Sequence, residues 1–210
     1  MAKPEPSKIT GYVMAGGAST RFGRDKSQVV LGGKTMLQRM CDLLVASVGE
    51  ARIVAPNGRY SALAACVVPD RWPGEGPLGG IVTALLDAAA TDPPAGAALI
   101  VGCDMPFLTP DWLRYLAERA ATSETDVLLP ESPSGAEPLC ACWKPSAARA
   151  LEKVFLAGAR KITDALRTVK TELLDEHVWK RFDTTGRLFW NMNTAADYAE
   201  VCRVWNEERS

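Results

Sequence analysis

The sequence predicts one α/β domain, a mostly parallel sheet with helices on both faces. Short apolar runs alternate with segments of helical spacing, a pattern that calls for crossover connections and a parallel sheet. The run Ala97–Gly102 (Ala-Ala-Leu-Ile-Val-Gly) is apolar at every position, as a strand buried on both faces must be. The 210 residues, 47% of them hydrophobic, suffice for one sizeable core.

The elements follow in order. Ile9–Met14 is a continuous apolar run ended by glycines and reads as the first strand. Thr35–Ser47 carries Met36, Leu37, Met40, Leu43 and Leu44 at helical spacing. Arg52–Ala55 is a second strand, closed by Pro56-Asn57-Gly58, and Cys66–Val68 a third. Leu78–Ala89 is a helix and Ala97–Gly102 the fourth strand and sheet centre. Thr109 has the form of an N-cap, with Pro110 at the first helical position, opening a helix over Asp111–Ala121. The second half is less regular. Asp126–Leu129 and Leu139–Trp143 are strand-like around a turn at Glu131–Glu137, Ser146–Ala157 and Lys161–Thr168 are helical, and Thr171–Leu174 is a strand. Thr194-Ala-Ala-Asp197 resembles a capping box for a last helix reaching about Trp205.

Composition removes several classes of function. A net charge of −1 argues against nucleic-acid and anionic-membrane binding, so the cations near the N-terminus are a local device. No apolar run approaches the roughly 20 residues that cross a bilayer. Met1–Ser7 is polar and Pro-rich, with no signal-peptide core, and residues 1–8 are expected to be a disordered tail. The six cysteines lack metal-ligand spacing; Cys140 and Cys142 would share one strand face as small core residues. Reduced thiols and a cytoplasmic location follow. His177 is the only histidine, which excludes His-based triads and His-rich metal sites.

Three loops leave strand ends, where ligands of an open parallel sheet bind. The first, after Met14, holds Gly16, Gly17 and Gly23 interleaved with Arg21, Arg24 and Lys26. Glycines allow close backbone approach, and successive N–H groups with nearby cations make an anion site suited to polyphosphate. Its spacing is neither that of the P-loop nor that of the dinucleotide fingerprint; the plain alternative is a basic surface turn. The second loop, Asp70–Gly80, brackets Pro73 and Pro77 with four glycines and has a pre-set shape, or is an ordinary long turn. The third is Cys103-Asp104-Met105-Pro106. A carboxylate at a strand end is commonly a cap or turn former, but Thr109 already fills the cap here. Beside a phosphate loop, Asp104 suits Mg²⁺, which takes one or two carboxylates plus substrate phosphates.

These residues carry a family resemblance. Ala-Gly-Gly-x-Ser-x-Arg-x-Gly-x-x-Lys from Ala15, Gly-Pro-Leu-x-Gly-Ile from Gly76, Cys103-Asp104-x-Pro106, Glu137-Pro138-Leu139 and Asn191-Met192-Asn193-Thr194 occur together along nearly the whole chain. The set resembles the nucleotidyltransferases of Rossmann-like, glycosyltransferase-A-like (nucleotide-diphospho-sugar transferase) fold, and most of all the molybdenum cofactor guanylyltransferases, which join GMP from GTP to molybdopterin. The resemblance implies a nucleotide-binding half over residues 9–122 and an acceptor-binding half over 123–210. It implies that Met14, Ala15, Gly16 and Gly17 line the GTP site with Asn57, Asp70, Gly76, Pro77 and Leu78. Arg21 and Lys26 would face the triphosphate and share catalysis with Asp104, which would hold Mg²⁺ and contact nucleotide. Asn191 and Asn193 would lie on the acceptor side. GTP and molybdopterin would be the substrates, with room for transient contact with molybdenum-insertion proteins or acceptor molybdoenzymes, and neither nucleic acid nor membrane as partner. Met14 stands where Leu is usual, Phe22 for Met, Trp143 for Tyr and Ala195 for Pro. Cytidylyltransferase relatives typically carry Ala at the place of Gly17 and lack the Gly80-Ile81 ending, so both features favour GTP. The competing readings are transfer of CMP to molybdopterin, transfer to a sugar phosphate, and a non-catalytic nucleotide-binding regulatory module.

Overall fold

The computed structural model describes residues 8–16, 25–60 and 66–207, Cys66 by its backbone alone. The tail expected over residues 1–8 (Lys8 apart) and the glycine-loop residues 17–24, including Gly17 and Arg21, lie outside the described residues.

The strands are β1 Ile9–Met14, β2 Val30–Leu31, β3 Lys34–Thr35, β4 Ala51–Ala55, β5 Cys66–Pro69, β6 Ala97–Gly102, β7 Val127–Ser132, β8 Gly135–Ala136, β9 Cys140–Trp143 and β10 Thr171–Leu174. The helices are α1 Met36–Val48, α2 Pro77–Ala90, α3 Pro110–Thr122, α4 Ala148–Leu156, α5 Ile162–Leu166, α6 Glu176–Trp179 and α7 Ala195–Glu207. The main sheet runs β10-β7-β9-β6-β1-β4-β5, with β8 on β7. Its pairings are parallel except those of β9, which runs antiparallel to both β6 and β7, and of β8 with β7.

Alternation along each strand divides the core. On β6, Leu99 and Val101 face α1, α3 and α7, whereas Ala98 and Ile100 face α2, α4 and α5. On β9, Cys140 and Cys142 share the first face, while Ala141 and Trp143 take the second. An unbroken apolar strand is thus a strand buried on both sides. Trp143 is fully buried and its indole N–H donates to Pro138 O at 3.3 Å, so its departure from Tyr is a packing change in the core. The five cysteines whose side chains are described are free thiols. Among the described residues, no helix is long and apolar enough to cross a membrane.

Local chemistry sets the helix ends. Thr35 and Gln38 make a capping box on α1, and Gly49, at φ 84°, terminates it. Thr109 accepts from Trp112 N–H to start α3, with Pro110 at its first position. Thr194 and Asp197 bond reciprocally at the start of α7, Asp doing what Glu usually does there. The helix α6 had no expected counterpart, and three strand features also depart from the expected elements. A small hairpin pairs β2 with β3 around Gly32 and Gly33, both at positive φ. Gly135–Ala136 pairs back onto β7 inside what reads as a plain turn. Leu139 falls outside β9, its carbonyl accepting from Gly102 N–H at 2.8 Å. Strands of two residues are too short to show any periodicity, so sequence patterning cannot register them.

Register positions the site. Met14 lies opposite Gly102 on one side and Val54 on the other, and Ala55 opposite Pro69. The carboxyl ends of β6, β1, β4 and β5 therefore stop at one level.

Candidate active site

At the end of β6 the chain turns through Cys103 into Asp104. Gly102 has no Cβ; one built there would stand 2.7 Å from Asp104 Oδ1, so the glycine lets the carboxylate fold back over its own strand end. The other oxygen, Oδ2, lies 3.6 Å from Lys26 Nζ, and both side chains are largely shielded, at 25% and 19% exposure. Lys26 opens a short 3-10 helix, Lys26–Gln28, immediately after the glycine loop, and its ammonium donates to Asn193 Oδ1 at 2.7 Å. The structure thus brings together a glycine-loop lysine, a strand-end acid and an asparagine 167 residues away in sequence.

The Asn191-Met192-Asn193 segment fastens two loops, those of Lys26 and Asp104. Asn193 holds Lys26 through its side chain, and its N–H donates to Asp197 Oδ2 at 2.8 Å. Met192 N–H donates to the Asp104 carbonyl at 2.8 Å, and its side chain is fully buried in the core. The Asn191 amide lowers the Glu137 carboxyl from its side of the site. The buried Met192 anchors the backbone beside Asn193, whose amide meets Lys26.

Glu137 is a residue to which sequence reasoning gave no role, although its motif was visible. It is buried, 7% exposed, and accepts from Ser132 Oγ at 2.7 Å. Burial pushes its carboxyl above the usual range, reinforced by the charge of Asp104 and opposed by the hydrogen bond from Ser132 and by the Asn191 amide. The native state therefore holds this proton more tightly than the unfolded chain does. Stability should fall as pH rises from the ordinary carboxylate range through the raised native value. Glu137→Gln is expected to remove that contribution, seen as urea midpoints that fall less, or rise more, between about pH 4 and 7 than those of the wild type. A wild-type slope in the variant would show the acid to be as well solvated when folded as when unfolded.

The second loop is docked firmly. Asp70 Oδ1 accepts from Trp72 N–H at 3.0 Å and lies 3.3 Å from Thr83 Oγ1, whose oxygen accepts Arg71 N–H. Asp70 Oδ2 would stand 3.4 Å from a Cβ on Gly16, so the acid borders the glycine loop. Trp72 packs on Phe155 with ring centroids 5.0 Å apart, and Arg160 pairs with Glu75 at 2.8 Å. Gly76, at φ 95°, precedes α2 with no side-chain cap; Gly76 and Pro77 are exposed and Leu78 is buried. Met14 lies over Gly80, where any Cβ would collide with its methyl at 2.2 Å. Ala15 is buried and bonds Val54 O through its N–H at 2.9 Å, and Asn57 is exposed on the turn after β4. Met14 to Gly16 and Asp70 thus rim one edge, with Lys26, Asp104 and Asn193 joined beside it, while no hydrogen bond or ion pair among the described residues ties Asn57 to either group. Among the described residues no three His, Cys, Asp or Glu side chains could cage a metal. The shielded Asp104 carboxylate is of the kind that suits Mg²⁺, which keeps waters and takes phosphate oxygens as its other ligands.

Transfer of a nucleotidyl group asks a protein for position and charge rather than covalent chemistry; the fold and the family are those of a nucleotidyltransferase. The match can be drawn more narrowly. The MobA-like NTP transferase domain matches residues 11–173, and the chain belongs to that family. It is 33% identical over 197 residues to a probable molybdenum cofactor guanylyltransferase of Pelotomaculum thermopropionicum, covering 92% of each chain. It is 34% identical over 209 residues to a molybdenum cofactor guanylyltransferase of Rhizobium leguminosarum bv. trifolii, covering 96% of this chain and 94% of the relative. The crystal structure of molybdopterin-guanine dinucleotide biosynthesis protein A from Archaeoglobus fulgidus superposes with a TM-score of 0.82 at 26% identity, covering 94% of this chain and 99% of that one. A 4-diphosphocytidyl-2C-methyl-D-erythritol synthase from Anaerococcus prevotii, at 12% identity and a TM-score of 0.66, shares the fold alone.

Proposed function

We propose that this chain transfers GMP from GTP to the terminal phosphate of molybdopterin, giving the guanine dinucleotide and pyrophosphate. The observation that supports it most is the junction of Lys26, Asp104 and Asn193 at the level strand ends, in a chain whose relatives are named for this reaction. A phosphate oxygen of molybdopterin attacks the α-phosphorus of GTP; the bond from that phosphorus to the bridging oxygen breaks, and pyrophosphate leaves with its electrons. An acceptor phosphate is already ionised at neutral pH, so no general base is required, consistent with a single histidine at position 177.

Met14 to Gly17, Asn57, Asp70 and the Gly76-Pro77-Leu78 turn hold the nucleotide. Lys26, with Arg21, offsets charge on the departing pyrophosphate. Asn191 and Asn193 orient the acceptor phosphate. Asp104 would hold Mg²⁺, which would supply positive charge to neutralise the phosphates. Guanine over cytosine rests on Gly17 and Gly80-Ile81, where cytidylyltransferases differ.

Pyrophosphate release from GTP, with and without molybdopterin, is the direct test. Release that requires both substrates, with CTP and UTP competing poorly, is the expected outcome. Preference for CTP or UTP would overturn the choice of base, and release unaffected by molybdopterin would overturn the acceptor.

A further inference from the structure

Tyr60 is at φ 60°, the one described residue other than glycine at positive φ. Such a backbone conformation persists where the surroundings hold it in place. What holds Tyr60 is its hydroxyl, which donates to Asp25 Oδ2 at 2.7 Å and also lies 2.7 Å from Ser27 Oγ. Asp25 Oδ1 accepts from Ser27 N–H at 3.0 Å and from Ser27 Oγ at 2.7 Å, and Arg59 stands 3.7 Å from Oδ2. Burial alone would raise the Asp25 carboxyl; the bonds from Ser27 and Tyr60, with the Arg59 charge, outweigh it and hold it below the usual range. Asp25 is the residue that caps the 3-10 helix beginning at Lys26. Tyr60 follows the turn that carries Asn57.

We propose that Tyr60 is a positioning residue: through Asp25 it fixes the backbone from which Lys26 projects, and so couples the Asn57 loop to the triphosphate-facing cation. The coupling rests on the nucleotide reading above. A lysine side chain has four rotatable bonds and a strongly hydrated head, so its useful charge depends on where its stem begins. A clamp on the adjacent residue supplies that origin. Asn193 then takes the ammonium at 2.7 Å, and the cation is held from both ends. A clamp serving stability alone would leave the preference for triphosphate over nucleoside unchanged.

The test is calorimetric titration of the full chain, with Mg²⁺ present, using GTP and guanosine as probes. Tyr60→Phe keeps the ring and removes the hydroxyl; it is expected to weaken GTP about tenfold, as for loss of a bond to a charged group, and guanosine less than about twofold. Asp25→Asn, which keeps the shape but loses the charge, is expected to act in the same sense. Tyr60→Phe added to Lys26→Met should cost GTP nothing beyond Lys26→Met alone, because the two act through one charge. Equal losses for GTP and guanosine, or additive losses in the double variant, would overturn the positioning role. Wild-type chain that binds GTP no better than guanosine would instead overturn the triphosphate reading itself.

Discussion

Asp104→Asn is expected to lower turnover on the order of 10³-fold while leaving the fold intact, because it removes charge and almost nothing else. The amide has the same shape, so the space that Gly102 leaves for Oδ1 still accommodates it. Met192 is bonded to the Asp104 backbone carbonyl, so the Asn191–Asn193 segment keeps its anchor. The pair with Lys26, at 3.6 Å and partly exposed, contributes at most about 1 kcal/mol. What is lost is the anionic oxygen that would hold Mg²⁺ against the phosphates. Steady-state pyrophosphate release together with a melting curve separates the effects. Near-normal turnover would remove the metal assignment from Asp104, and a large fall in melting temperature would mean that the carboxylate is structural.

Lys26→Met should cost about 10²-fold in kcat/KM for GTP, the loss of charged contacts worth roughly 1.5–3 kcal/mol. Methionine retains the apolar stem and removes the ammonium, so Asn193 loses its donor and Asp104 its only described ion-pair partner. If Lys26 acts on the departing pyrophosphate, the decrease falls on kcat; a rise in KM alone would mark it as a ground-state contact. Kinetics at varied GTP decide between them.

Much of the fold was legible in the chain. Ala97–Gly102 and Thr171–Leu174 are strands with the bounds read from the sequence, and Thr109-Pro110 opens a helix as its chemistry requires. Each of these signals is local: a period, a cap, a missing N–H. The hairpin at Val30–Thr35, the pairing of Gly135–Ala136 and the antiparallel course of β9 were not legible, since strand direction and short pairings depend on partners far along the chain.

The candidate site divides the same way. Lys26, Asp104, Asn191 and Asn193 are visible as motif residues, but nothing in their spacing says that Lys26 and Asn193 touch. Glu137 sits in a visible motif without a visible purpose; burial beside Ser132 and Asn191 makes it unusual. Tyr60 had no signal, because its meaning comes from a hydroxyl meeting Asp25 across 35 positions.

The sequence by itself determined the α/β class, the strand ends at which a ligand would sit and the kinds of group available there, since periodicity, glycine placement and residue chemistry are local properties. Tertiary structure alone decided which of those groups meet. Register aligns the strand ends, the buried Met192 pins the segment between two asparagines, and the Asp25 clamp aims Lys26. Those are contacts between residues far apart in sequence, settled by the packing of two helix layers on one sheet.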